Sequence, residues 1–172
     1  IYFALSIGGT RRVLETTGNL IVANKWLHVA ATYDGANMRI YINGVEHTTS
    51  TAVTGSMDNY TTDLYLGDNG IAPLFLKGSI DEVRIWSKAL TQAEIKANMN
   101  AKLRGDESGL VAYYDFQEGA PNGTNTALTT VTDKAGSNDG NVHYVRRHSW
   151  TGQTRTHPYR GVQMSGLSEL GF

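Results

Sequence analysis

Two adjacent carboxylates, Asp81 and Glu82, lie in the stretch "KGSIDEVRIW", which otherwise has the composition of a β-strand. A pair of carboxylates could catalyse glycoside hydrolysis, which needs both groups on one side of the scissile bond, roughly 5 to 9 Å apart. Successive residues of a strand point to opposite faces. The spacing therefore separates the two groups, and it predicts that Glu82 pairs with Arg84 while Asp81 shares the other face with Val83 and Ile85.

A carboxylate on an apolar face is expected to be buried, so Asp81 needs either protein hydrogen-bond donors or a cation. Calcium is the candidate cation because it binds clustered oxygen ligands. Two loops rich in Asp, Asn and Gly could supply such ligands, although the same residues also form ordinary turns. The candidate metal ligands are Asp81, Asp68 of "GDNG", and Asp133 and Asn138 of "DKAGSNDG".

Sugar binding would require exposed aromatic side chains that can stack on a pyranose ring. Tyr41, on the strand face opposite Ile40, and Tyr60 in "MDNYTTD" are the candidate ligand-binding residues. Trp26 and Trp86 stand at predicted strand ends, where a large ring is expected to cover the edge of a sandwich.

The overall composition excludes several functional classes. The chain has 172 residues, which suits one well-cored domain, and its net charge of -1 gives no attraction to nucleic acid. It has no cysteine, so the fold does not depend on disulfides. No apolar run approaches the roughly 18 residues that a membrane-spanning helix needs. The 19 Gly, nine Tyr and only three Pro favour an all-β protein with tight turns.

Hydrophobic alternation predicts several strands and one helix. "WLHVAATYDG" and "NMRIYING" are typical of a β-hairpin, and "DLYLGDNG", "IDEVRIW" and "LVAYYDF" read as further strands. The helix is predicted over Leu90–Asn100, with Thr91 as N-cap and Glu94 completing a capping box. Leu90 and Ile95 occupy the positions of a hydrophobic staple.

Three stretches, which together contain four ordered motifs, carry a family resemblance. "WLHVAATYDGANMRIYINGVE", "LYLGDNG" and "FLKGSIDEVRIWSKALTQAEIKANM" resemble the second half of a concanavalin-A-like, laminin-G-like jelly-roll domain of large secreted bacterial proteins. The resemblance implies an antiparallel β-sandwich of jelly-roll type with one short helix. It also implies a calcium ion at an edge of the sandwich in many members.

The resemblance implies a function as well. We expect a non-catalytic recognition module of an extracellular or cell-surface protein, which binds carbohydrate or a cell-surface protein and adjoins other domains of the same parent chain. One alternative is a structural spacer of a surface adhesin or filament without its own ligand. A glycoside hydrolase is a weaker alternative, because the sequence lacks the E-x-D-x-x-E pattern of related laminarinase-type enzymes.

The order of the segments departs from the family pattern. Residues 1–108 resemble the C-terminal part of such a domain, 109–145 resemble the start of one, and 146–172 form a basic polar tail. Either the chain runs from one domain of a tandem array into the next, which is the interpretation we favour, or the late segment folds back to supply an opening strand.

Overall fold

The computed structural model describes residues 1–50, 53–67, 76–119 and 127–142, together with the backbone of 162–164. The chain divides into two compact units, the first formed by Ile1–Asn59 and Trp86–Leu103 and the second drawn from Tyr60–Ile85 and Arg104–Gly171. In chain order the elements are β1 (Tyr2–Ile7), β2 (Thr10–Glu15), β3 (Val29–Tyr33), β4 (Met38–Ile42), β5 (Val45–Thr49), β6 (Leu64–Leu66), β7 (Val83–Trp86), α1 (Gln92–Asn98), β8 (Leu110–Tyr114), β9 (Thr130–Val131), β10 (Gly140–Val142) and β11 (Val162–Met164).

In the first unit, a β1–β2 hairpin packs on a three-stranded sheet of order β3-β4-β5. The predicted hairpin is confirmed as β3 and β4, which pair antiparallel from Val29 opposite Ile42 to Tyr33 opposite Met38. Met38 and Ile40 are fully buried on one face of β4 and cluster with Leu14 of β2. The period-two pattern of β4 thus creates the core between these two layers.

The opposite face of β4 is covered by α1. Tyr41 of β4 clusters with Leu90 and Ile95, the two residues predicted to form the hydrophobic staple, and Trp86 packs against them. The capping box is also confirmed, since Thr91 Oγ1 accepts from the backbone N–H of Glu94 and the Glu94 side chain accepts from the N–H of Thr91. Local capping and burial of one apolar face together fix this short helix.

The turn between β4 and β5 consists of Asn43 and Gly44, both with positive φ. A Cβ at Gly44 would lie 2.8 Å from Cγ of Lys96 and 2.9 Å from Sδ of Met99, at the end of α1. Glycine is needed at this position for its conformation and also because the helix approaches the turn closely.

In the second unit, β6, β11, β10 and β9 form one sheet in that order, and β7 pairs with β8. β11 lies within residues 146–172, for which the sequence predicts a basic polar tail. Its pairing with β6 and β10 is not indicated by the local composition. The core of this unit is formed by aromatic and aliphatic side chains that cluster together: Ala112, Tyr114, Phe116 and Val131.

The pairing of β8 with β7 bears on the order of the segments. β8 comes from the late segment that resembles the start of a domain, yet it lies beside the strand of the "IDEVRIW" motif. Both interpretations of the segment order, the tandem array and the late segment that folds back, stay predictions. Among the helices that the structure describes, none is long and apolar enough to cross a membrane.

Candidate functional sites

Asp81 and Glu82 precede β7 instead of lying within it. Glu82 has a φ of 55°, in the left-handed region, so the extended alternation of the strand starts only at Val83. Asp81 is exposed, and its Oδ1 accepts from the backbone N–H of Glu82 at 2.9 Å. The predicted burial of Asp81 is therefore wrong, because the alternation from which it was predicted does not extend to this residue.

Glu82 is the anchored member of the two. Its Oε2 accepts from Arg84 at 2.6 Å, so the predicted pair is confirmed, and also from the Tyr113 hydroxyl at 2.8 Å. The Arg84 guanidinium carbon lies 5.5 Å from the centroid of the Tyr113 ring, within the range of a cation–π contact. These contacts join β7 to β8 and give Glu82 a structural role. Sequence reasoning missed Tyr113, for which the only signal is the doubled tyrosine of "AYYD".

Asp133 forms the centre of the 133–140 loop. Its carboxylate is buried and accepts four hydrogen bonds. Oδ1 accepts from the backbone N–H of Tyr113 and of Ala135, both at 3.0 Å. Oδ2 accepts from the backbone N–H and the side-chain amide of Asn138, both at 3.2 Å. The structure thus brings the two predicted ligands Asp133 and Asn138 together.

The surroundings of Asp133 are closely packed. A Cβ at Gly136 would lie 2.9 Å from its Oδ2, and the Tyr114 hydroxyl donates to the carbonyl of Asn138 at 2.5 Å. Burial raises the pKa of Tyr114, and the nearby charges of Asp133 and Asp139 raise it further. The Tyr114 hydroxyl therefore stays protonated and acts as a hydrogen-bond donor.

These residues do not match the ligand set that calcium requires. Both oxygens of Asp133 already accept two hydrogen bonds each, and Asn138 presents its amide nitrogen to Asp133. Asp68 lies outside the described residues, and Asp81 is exposed. In the part of the chain that the structure describes, no three His, Cys, Asp or Glu residues come together as a metal site. Calcium binding stays a prediction that this loop does not support.

The aromatic candidates have different environments. Tyr41 is only 4% exposed because α1 covers it, so its prediction as an accessible sugar-binding residue is wrong. Tyr60 is 57% exposed, as a ligand-binding residue must be. Trp86 is half-buried, as expected of a ring at a strand end. Trp26 is 64% exposed, so the expectation that it covers the sandwich edge is wrong.

Trp26 follows a turn just before β3. The backbone N–H of Lys25 donates to the carbonyl of Val22 at 3.2 Å, and Asn24 has a φ of 62°. Ile21 and Val22 are also exposed, so apolar surface surrounds the turn on its N-terminal side. This concentration of exposed apolar side chains on one connection is the feature that sequence reasoning missed.

Comparison with known families decides the classification. A model of the concanavalin A-like lectin/glucanases superfamily, of laminin G type, matches residues 1–96. The chain belongs to this superfamily. Its strands pair antiparallel wherever the register is described, and the predicted fold class, an antiparallel β-sandwich with one short helix, is confirmed.

Proteins with similar sequence or structure are much longer than this chain. Mouse pappalysin-1 is 31% identical over 106 residues and human pappalysin-1 is 30% identical over 103, which is 6% of each relative's length. A crystal structure from Bacteroides ovatus, provisionally described as a carbohydrate binding protein, has 26% identity and a TM-score of 0.58. The match covers 78% of this chain and 38% of that one.

Proposed function

We propose that this chain is a non-catalytic carbohydrate-recognition module of a larger extracellular or cell-surface protein. Membership of the concanavalin A-like superfamily and the likeness to the Bacteroides ovatus protein support this function. The observation that carries it is the exposed indole of Trp26 beside exposed Ile21 and Val22, because apolar side chains grouped on the surface are typical of a binding site.

The chemistry of Trp26 suits a sugar. A pyranose presents an apolar C–H face, which can stack on an indole ring, and hydroxyl groups at its edge, which need polar partners. Asn24 and Lys25 are exposed beside Trp26 and can supply such partners.

Tyr60 is the second candidate contact, in the other compact unit. Its ring is exposed, and it follows directly after Asn59 at the end of the first unit. Because each residue lies in its own unit, we treat Trp26 and Tyr60 as separate candidate subsites.

We assign no catalytic role to Glu82 or Asp133. Glu82 is held by Arg84 and Tyr113, and Asp133 accepts four hydrogen bonds, so both carboxylates are engaged within the protein. We therefore expect the chain to release no reducing ends from a β-glucan such as laminarin.

Binding is tested on a glycan array, followed by titration calorimetry with the strongest oligosaccharide. Trp26→Ala should weaken binding at least tenfold, which corresponds to about 1.4 kcal/mol. Val45→Ala removes an exposed apolar side chain without a ring and should leave the affinity unchanged. Tyr60→Ala tests the second subsite in the same way. If no oligosaccharide binds the unmodified chain, the recognition function is refuted and the spacer function is favoured.

A further inference from the structure

The outer edge of β3 exposes main-chain hydrogen-bonding groups. Just before β3, the carbonyl of His28 accepts from the backbone N–H of Asn43, and just after it the N–H of Asp34 donates to the carbonyl of Asn37. Because hydrogen-bonded and non-hydrogen-bonded pairs alternate along an antiparallel ladder, Ala30 and Thr32 are the residues of β3 that bond to β4. The N–H and C=O groups of Val29 and Ala31 therefore point away from β4. Among the strands that the structure describes, none pairs with this edge.

The side chains at this edge are apolar and accessible. Val29 is 43% exposed and Ala31 is also exposed. Both side chains lie on the same face of the sheet as Met38 and Ile40, which pack against the β1–β2 hairpin. Apolar residues of a sandwich core are thus uncovered where the sheet stops at β3.

The other edge of the same sheet is protected. β5 carries the charged Glu46 and the polar His47, and its pairing with β4 has a register irregularity between Ile40 and Tyr41. Charges and bulges are the devices by which natural sheets prevent edge-to-edge association. β3, with the sequence VAATY, has no charge, no proline and no bulge in its ladder.

We infer that the β3 edge binds a second copy of this chain, by antiparallel pairing of the two β3 strands about a two-fold axis beside Ala30. In this register Val29 of each copy faces Ala31 of the other, and the two pairs form four main-chain hydrogen bonds. The register also places Val29 beside Ala31 of the partner on the uncovered face, so that apolar contacts accompany the hydrogen bonds.

Charge and symmetry select a second copy as the occupant. β3 offers no charged group to a partner, and a net charge of -1 gives two copies almost no mutual repulsion. A strand that is uncharged and apolar on one face is complementary to itself, and such isologous contacts generate closed dimers. The C-terminal end of β3 is excluded from the pairing because the 53–55 segment approaches it, with the Tyr33 hydroxyl donating to the carbonyls of Val53 and Gly55.

Analytical ultracentrifugation of the 172-residue chain, from low micromolar to near millimolar concentration, tests the inference. We expect a reversible monomer–dimer equilibrium. Val29→Lys should weaken the dimer at least tenfold, whereas Val45→Lys, the same change at the first position of β5, should leave it unchanged. Ala31→Pro should also weaken it, because it removes an outward N–H that the β3–β4 ladder does not use. Circular dichroism and thermal unfolding verify that each variant folds.

Cysteine cross-linking tests the register. The natural chain has no cysteine, so a Val29→Cys chain mixed with an Ala31→Cys chain can form a disulfide only at the introduced sites. The facing positions are about 5.5 Å apart between Cα atoms, which suits a disulfide. A chain that stays monomeric at every concentration, equal weakening by Val29→Lys and Val45→Lys, or a dimer without the mixed disulfide would each overturn the inference.

Discussion

Replacing Asp133 by Asn tests whether hydrogen bonds hold the 133–140 loop without a metal ion. The substitution keeps the shape of the side chain but removes its charge and turns one of the two accepting oxygens into an NH2 group. If that group takes the place of Oδ2, it meets the two donors of Asn138. Asn138 can rotate its amide to restore one contact, but its backbone N–H loses its partner.

The expected magnitude follows from these contacts. A net hydrogen bond to a charged acceptor contributes about 1.5–3 kcal/mol, and a buried donor left without a partner costs about 1–3 kcal/mol. Losing one backbone bond and weakening the others should lower the free energy of unfolding by roughly 2–4 kcal/mol. For a chain of this length the unfolding midpoint should fall by roughly 4–16 °C.

Thermal unfolding followed by circular dichroism measures this change. Asp139→Asn is the matched control, because exposed Asp139 accepts one described bond, from the Asp133 N–H at 2.9 Å, and should cost only about 1 kcal/mol. The midpoint of the unmodified chain should be the same in calcium and in chelator, since a ligand that binds only the folded state must raise it. If Asp133→Asn and Asp139→Asn lower the midpoint equally, the four hydrogen bonds of Asp133 are not what holds the loop. If calcium raises the midpoint of the unmodified chain, the claim that the loop is held without a metal ion is refuted.

Two further predictions concern the start of α1. Thr91→Ala should lower the free energy of unfolding by about 1 kcal/mol because it removes the N-cap, while Thr91→Ser should restore most of that loss; urea denaturation measures both. The backbone N–H of Thr91, together with Lys88 and the Thr91 hydroxyl, lowers the pKa of Glu94 from 4.5 to about 2. Because the folded-state pKa is the lower one, the stabilisation is present above pH 4.5 and is lost as the pH falls towards about 2. The unmodified chain should therefore have a larger free energy of unfolding than the Glu94→Gln variant at neutral pH, and the difference should disappear as the pH approaches about 2. A difference that does not change with pH would contradict the lowered pKa of Glu94.

The sequence predicted those elements whose stability depends on residues close together in the chain. The β3–β4 hairpin depends on an Asp-Gly turn and period-two alternation, and the capping box of α1 on two residues three positions apart. Both patterns lie within a short stretch of sequence, so the structure that they indicate could be read directly.

Errors arose where distant residues determine the environment. The side of β4 that carries Tyr41 is buried by a helix whose sequence lies about fifty residues later. The alternation around Asp81 fails because Glu82 adopts a left-handed conformation and its carboxylate binds Tyr113 on another strand. Period-two reasoning assigns faces, but it does not tell which faces other elements cover.

The close approach of α1 to Gly44 links two motifs that are far apart in the chain. Any side chain at position 44 would displace Lys96 and Met99, so the Asn-Gly turn and the last turn of the helix cannot vary independently. In a library of variants, substitutions at Gly44 should be rescued only by smaller residues at the facing helix positions, and only in part because the positive φ remains. The β4–β5 hairpin and α1 should therefore be transferred together when this unit is grafted onto related domains or recombined with them.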